Sequence, residues 1–118
     1  MQIAQAYLRH RPITDPAELR SVALGVARMK GSGAQVRALE TLARHHVTDR
    51  EILDELIRLF AQTRSPAVQR AIAEIFIRTD LRAIPTPRVV QVLREHRLRP
   101  SGTGQDLVDI LLEKLQAS

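Results

Sequence analysis

Four histidines are the residues of this chain best suited to metal binding or proton transfer. They are His10, His45, His46 and His96. No two of them are four residues apart, the spacing that would place two imidazoles on one helix face for a metal ion. The adjacent His45 and His46 would point about 100° apart on a helix. The histidines therefore favour structural roles over a metal site or an acid–base pair.

Two other groups of residues could do chemistry. The carboxylates of Asp54 and Glu55, like those of Asp106 and Asp109, fall on polar faces, without the burial that a general acid needs. The segment Gly31-Ser32-Gly33 precedes a helix whose N-terminus could bind an anion, although a tight turn between helices explains it better. We therefore expect no enzyme, and hence no catalytic residue, cofactor or metal.

Composition indicates a small helical domain. The chain has 118 residues, no cysteine and 3% aromatic residues, so its core must consist mainly of aliphatic side chains. The absence of cysteine excludes disulfides and thiolate metal sites. No apolar run approaches the roughly 20 residues that span a bilayer, and the N-terminus lacks a signal-peptide pattern. We expect a cytoplasmic protein without a membrane span, its oligomeric state left open.

Helix boundaries can be read from capping residues and prolines. Asp15-Pro16, the box Thr48-Asp49-Arg50-Glu51, Ser65-Pro66 and Thr86-Pro87 are typical helix starts. Between them, apolar residues recur at helical spacing. The predicted helices cover residues 1–11, 16–30, 33–46, 49–63, 66–79, 87–97 and 104–117, with a short turn at 80–84.

A two-helix unit is repeated along the chain. The segment 35–43 aligns with 68–76 at an offset of 33, which superposes Arg37 on Arg70 and Leu39 on Ile72. Thr14-Asp15 and Thr48-Asp49, at an offset of 34, begin the preceding helices. Repetition at this period predicts a solenoid of stacked helix pairs, which commonly presents an extended surface to a partner.

The stretches Val36-Arg37-Ala38-Leu39 and Gln69-Arg70-Ala71-Ile72 make the chain similar to HEAT-like (armadillo-type) helical repeats. The resemblance implies an all-α fold, a right-handed α-α superhelix of about two and a half to three helical pairs. We expect one domain over residues 1–118, with pairs at about 15–46, 49–79 and 86–117. Residues 1–11 would be the unpaired helix of a preceding repeat, so that the chain is the C-terminal part of a longer repeat protein.

The HEAT resemblance implies a protein-binding scaffold or adaptor that uses the second helix of each pair, at 33–46, 66–79 and 104–117. Its partner-binding candidates lie opposite the apolar stripes of the first two of these helices: Arg37, Thr41, Arg44, Arg70, Glu74 and Ile77. The net charge of +5 leaves a second hypothesis open, nucleic-acid binding through a basic arginine face. The scarcity of aromatic residues disfavours it, because single-strand readers stack bases on such side chains.

Overall fold

The computed structural model describes residues 15–45, 47, 49–98 and 107–117. Within these ranges the chain forms six α-helices and two short 3-10 helices, and no β-strand. The α-helices are α1 (Pro16–Gly25), α2 (Ser32–Ala43), α3 (Arg50–Gln62), α4 (Pro66–Arg78), α5 (Thr86–His96) and α6 (Leu107–Ala117). The 3-10 helices are Val26–Arg28 and Leu81–Ala83. The predicted all-α class is therefore confirmed, while the predicted helix at 1–11 lies outside the described residues.

Two of the predicted helix starts have the expected capping bonds. The carboxylate of Asp15 accepts a hydrogen bond from the Ala17 amide at 2.9 Å. The hydroxyl of Ser65 accepts one from the Val68 amide at 3.3 Å. Each bond satisfies an amide that has no partner within its own helix, and a proline follows each cap in the first turn.

Two other predicted starts need correction. Asp49, rather than Thr48, caps α3: its carboxylate accepts from the amides of Glu51 and Ile52 at 2.8 and 3.4 Å. Thr86 lies inside the first turn of α5, after Pro85 at the capping position. Its hydroxyl donates to the Ile84 carbonyl at 3.4 Å, so it caps no amide.

The connection between α1 and α2 also differs from the prediction. The helix predicted at 16–30 tightens into the 3-10 turn after Gly25, and α2 begins at Ser32, so Ser32 and Gly33 lie within α2. Gly31 precedes α2 with a φ of 91°, a conformation that glycine adopts without steric cost. At its other end α2 stops at Ala43 instead of continuing to 46.

The helices form two layers. In the first layer α3 packs between α1 and α5, and in the second layer α4 packs between α2 and α6. Consecutive helices along the chain alternate between the layers, and α1–α2, α3–α4 and α5–α6 make the contacts across them. The second layer therefore brings together the helices that the sequence predicts to carry the binding surface.

The core lies between the layers and is mainly aliphatic. Leu39 and Ile72, the equivalent residues of the repeated segments, are 0% and 1% exposed. Phe60 and Phe76 are each 1% exposed. Two positions of the apolar stripes that predict the core are wrong: Ala27 is exposed, and Ile110 is 40% exposed. The side chains of α6 that enter the core are Val108, Leu111 and Leu115, which share one helix face.

No helix in the described ranges is both long enough and apolar enough to cross a bilayer.

Candidate functional surface on the second layer

Charged residues of α2 and α4 form a surface with three bands. Each helix carries an arginine, a glutamate about one turn later and a second arginine after a further turn. These spacings of three or four residues keep the charges on one face of each helix. We call this the banded surface: Arg37 and Glu40 on α2 and Arg44 at its C-cap, with Arg70, Glu74 and Arg78 on α4.

Two open, shallow depressions mark the seam between α2 and α4, and they show which residues are neighbours. Glu40 and Glu74 line both depressions. Arg44 and Arg78 line one of them with the two glutamates, and Arg70 lines the other. Glu40 therefore lies beside Glu74, and Arg44 lies beside Arg78. Arg70 lies on the other side of the glutamates, and Arg37 lines neither of these depressions.

The floor of the depressions consists of small or aliphatic side chains, because α2 and α4 pack closely there. The floor residues are Ala43 in one depression and Val36, Ala67, Ala71 and Leu107 in the other. Leu107 is the first residue of α6, so the start of α6 borders one of the depressions. Such a floor leaves room for a partner to approach the helices closely.

The structure separates the six predicted residues by environment. Arg37 and Arg44 are exposed, while Arg70 and Glu74 are half-buried. Thr41 is half-buried, and its hydroxyl donates to the Arg37 carbonyl at 3.1 Å, as hydroxyls within helices often do. Ile77 is half-buried and packs against the core. The first four of these residues belong to the banded surface, whereas Thr41 and Ile77 lie beside it.

Sequence reasoning missed two members of the banded surface, Glu40 and Arg78. Both were detectable, since Glu40 lies three residues after Arg37 and Arg78 lies four after Glu74. Glu74 and Arg78 form an ion pair at 3.2 Å along α4. The floor residues carry no such signal, because an alanine in a helix looks the same whether it lines a depression or the core.

Ion pairs distinguish the two layers. In the first layer, Arg20 of α1 pairs with Glu51 of α3, and Arg88 of α5 pairs with Asp54 of α3 at 3.1 Å. In the second layer, Arg37, Glu40, Arg44 and Arg70 form no ion pair with any part of the chain that the structure describes. The first layer thus uses opposite charges to join its helices, and the second leaves like charges side by side.

Two glutamines fix the second-layer helices to the first layer. The side-chain amide of Gln35 donates to the Val26 carbonyl at 3.1 Å. That of Gln69, 1% exposed, donates to the carbonyls of Phe60 at 3.1 Å and His96 at 2.9 Å. The Gln69 side-chain oxygen also accepts from the Leu98 amide at 2.9 Å. Gln69 thereby holds α4 against the ends of both α3 and α5.

A lysine joins α6 to α4. The ammonium of Lys114 donates to the backbone carbonyls of Phe76, Ile77 and Thr79 at the end of α4. They are among the last carbonyls of the helix, where the negative end of its dipole lies, and the Phe76 carbonyl also accepts from the Thr79 amide at 3.2 Å. Burial lowers the pKa of Lys114, and the nearby Asp80 carboxylate partly opposes that change. The contact fixes α6 beside the banded surface.

The histidines and carboxylates considered in the sequence analysis form no metal-binding group within the part of the chain that the structure describes. Among the residues that the structure describes, no three histidine, aspartate or glutamate side chains are grouped closely enough to hold a metal ion. His45 lies half-buried in the turn after α2, and His96 ends α5. His10, His46 and Asp106 lie outside the described residues. The third concave feature, between α3, α4 and α5, is lined only by apolar core residues.

Comparison of the chain with protein-family models, with curated proteins and with solved structures finds no match.

Proposed function

We propose that this chain is a non-catalytic protein-interaction module, a scaffold or adaptor that binds its partner through the banded surface. The observation that carries the proposal is the set of charges at the seam between α2 and α4 that the fold does not pair. Glu40, Arg44 and Arg70 line this seam and make no ion pair within the described residues, although the corresponding seams of the first layer are closed by such pairs. A partner protein with opposite charges at matching positions would form ion pairs with them.

The same proposal includes a HEAT-like architecture, a right-handed superhelix of two and a half to three helical pairs. The alternation of consecutive helices between two layers supports it. So does a recurring contact: Gln35 and Gln69 each donate to the carbonyl of the residue nine positions earlier, Val26 and Phe60. In a solenoid, stacked neighbours expose one layer as an extended surface, and we assign that role to the second layer.

The test is affinity capture from a lysate of the source cells, with partners quantified by mass spectrometry. The variant Arg37→Glu/Arg70→Glu should keep the helical circular dichroism of the wild type and lose at least about tenfold of the captured partner, since charge reversal at an interface is strongly unfavourable. The control Arg50→Glu/Arg94→Glu makes the same charge change at exposed residues of α3 and α5 and should retain capture. Equal capture by the two folded variants would rule the banded surface out.

Nucleic-acid binding through an arginine face remains the alternative, with less support. Glu40 and Glu74 lie between the two basic bands, where they would repel a continuous phosphate backbone. A salt titration of DNA and RNA affinity separates the two functions. Phosphate contacts require a steep loss of affinity with salt, close to one logarithmic unit per logarithmic unit of salt for each contact. A protein-binding module should bind either nucleic acid weakly at about 0.15 M salt and show no such dependence.

A further inference from the structure

The banded surface places like charges next to each other, and this arrangement specifies what could bind there. Arg44 and Arg78 share one depression, and Glu40 and Glu74 share both. Neighbouring like charges on helices are mildly unfavourable in the isolated protein. A partner with the opposite order of charges would remove that repulsion, whereas a partner of uniform sign would be repelled by one of the bands.

The spacing of the bands matches that of an α-helix. Seven residues separate Arg37 from Arg44, and eight separate Arg70 from Arg78, which at 1.5 Å per residue is about 11–12 Å along each helix. A third helix lying along the seam has the same rise, so its residues at i, i+4 and i+7 or i+8 would meet the three bands in turn. Because the order is basic, acidic, basic, either direction of the partner helix would fit.

The floor of the seam suits a helix that packs closely. It is formed by Ala43, Ala67, Ala71, Val36 and Leu107, and short side chains allow neighbouring helices to approach. Helices bound in grooves are held by apolar contacts at their centre, while charges at the edges set orientation and choice of partner. Both features are present on this surface.

We infer that the banded surface binds an amphipathic helix carrying an acidic residue, a basic residue about one turn later and a second acidic residue after a further turn, with small or apolar residues toward the floor. This inference rests on the proposed function and specifies its partner. Arg70 binds one acidic residue, with Arg37 one turn before Glu40 on α2. Arg44 and Arg78 bind the other, and Glu40 and Glu74 bind the basic residue between them.

The test uses two synthetic helical peptides of about 18 residues with identical composition, held helical by the same side-chain staple. One presents the facing charges in the order Glu, Lys, Glu, and the other in the order Lys, Glu, Glu. Because their net charges are equal, general attraction to a protein of net charge +5 does not separate them. Affinity measured by fluorescence anisotropy at about 0.15 M salt should favour the first peptide at least tenfold.

Two variants test whether Glu40 and Glu74 cause the preference for the first peptide. In Glu40→Lys/Glu74→Lys all three bands are basic, so the preference between the peptides should fall to within about twofold. If that protein loses its helical circular dichroism, the single variant Glu40→Lys at an exposed position should still reduce the preference. Equal binding of both peptides by the wild type, binding of neither, or an unchanged preference in a folded variant would overturn the inference. The proposed function is tested separately by affinity capture. If Arg37→Glu/Arg70→Glu loses the captured partner while the peptides give one of these results, the proposed function stands and only the inference about the partner helix fails.

Discussion

The amides of Gln35 and Gln69 show how one residue type takes different roles at related positions. Gln35 lies four residues before the core residue Leu39, and Gln69 lies three before Ile72. A shift of one residue turns a side chain by about 100° around the helix. Gln35 is accordingly half-buried with one hydrogen bond to the first layer, whereas Gln69 is fully buried with three.

We predict that Gln69→Ala costs much more stability than Gln35→Ala. Removing Gln69 leaves two carbonyls and one amide at the layer interface without their partner, and an unsatisfied buried group costs about 1–3 kcal/mol. We expect a loss on the order of 3 kcal/mol for Gln69→Ala and about 1 kcal/mol for Gln35→Ala. Urea unfolding followed by circular dichroism measures both. Equal losses would mean that the bonds to His96 and Leu98 add nothing to stability.

The burial of Gln69 could not be predicted from the sequence. Its partners His96 and Leu98 lie 27 and 29 residues away along the chain, and a lone glutamine on a helix gives no sign of them. The alignment at an offset of 33 superposes Gln69 on Val36, whereas the glutamine hydrogen bonds recur at 34. Charged residues three or four apart are easier to interpret, which is why Arg44, Arg70 and Glu74 could be selected from the sequence, and the structure places them along the seam between α2 and α4.

At the level of the helix, the contact between Lys114 and the end of α4 holds α6 in the second layer. Lys114→Met keeps an unbranched side chain of similar length and removes the ammonium. The carbonyls of Ile77 and Thr79 then lose this donor, and that of Phe76 keeps only the Thr79 amide. We predict a loss of about 1–3 kcal/mol in the free energy of unfolding and faster amide hydrogen exchange within α6.

The matched control for this prediction is Glu113→Gln, a change at the exposed neighbour of Lys114. It should alter stability by less than about 0.5 kcal/mol. If Lys114→Met unfolds at the same urea concentration as this control, the ammonium does not fix α6 to α4.

The helices themselves could largely be predicted, because their signals are local. Asp15 and Ser65 make the capping bonds that their sequence context predicts. The assignment of Thr48 and Thr86 as helix caps was wrong for a local reason too. Each threonine is next to a second residue that occupies the capping position, Asp49 or Pro85. The exposure of Ile110 depends on how α6 rotates against α4, which the apolar pattern of α6 alone does not determine, since Val108 is equally apolar.

At the scale of the molecule, the two layers are held together by different contacts. The first layer closes its seams with the pairs Arg20–Glu51 and Arg88–Asp54, while the second layer is held from inside by Gln69 and Lys114. The outer charges of the second layer are thus not needed to hold its helices together. This division leaves a surface of mixed sign on a basic chain, and in the function we propose a partner would be selected by the order of these charges rather than by net charge.

The most direct test of this account maps the partner's footprint on the chain by NMR. Backbone amide shifts would be compared for the free protein and for its complex with the partner obtained by affinity capture. The account predicts that the largest changes fall within residues 36–44 of α2 and 67–78 of α4. Largest changes on α1, α3 and α5, with α2 and α4 unaffected, would contradict it.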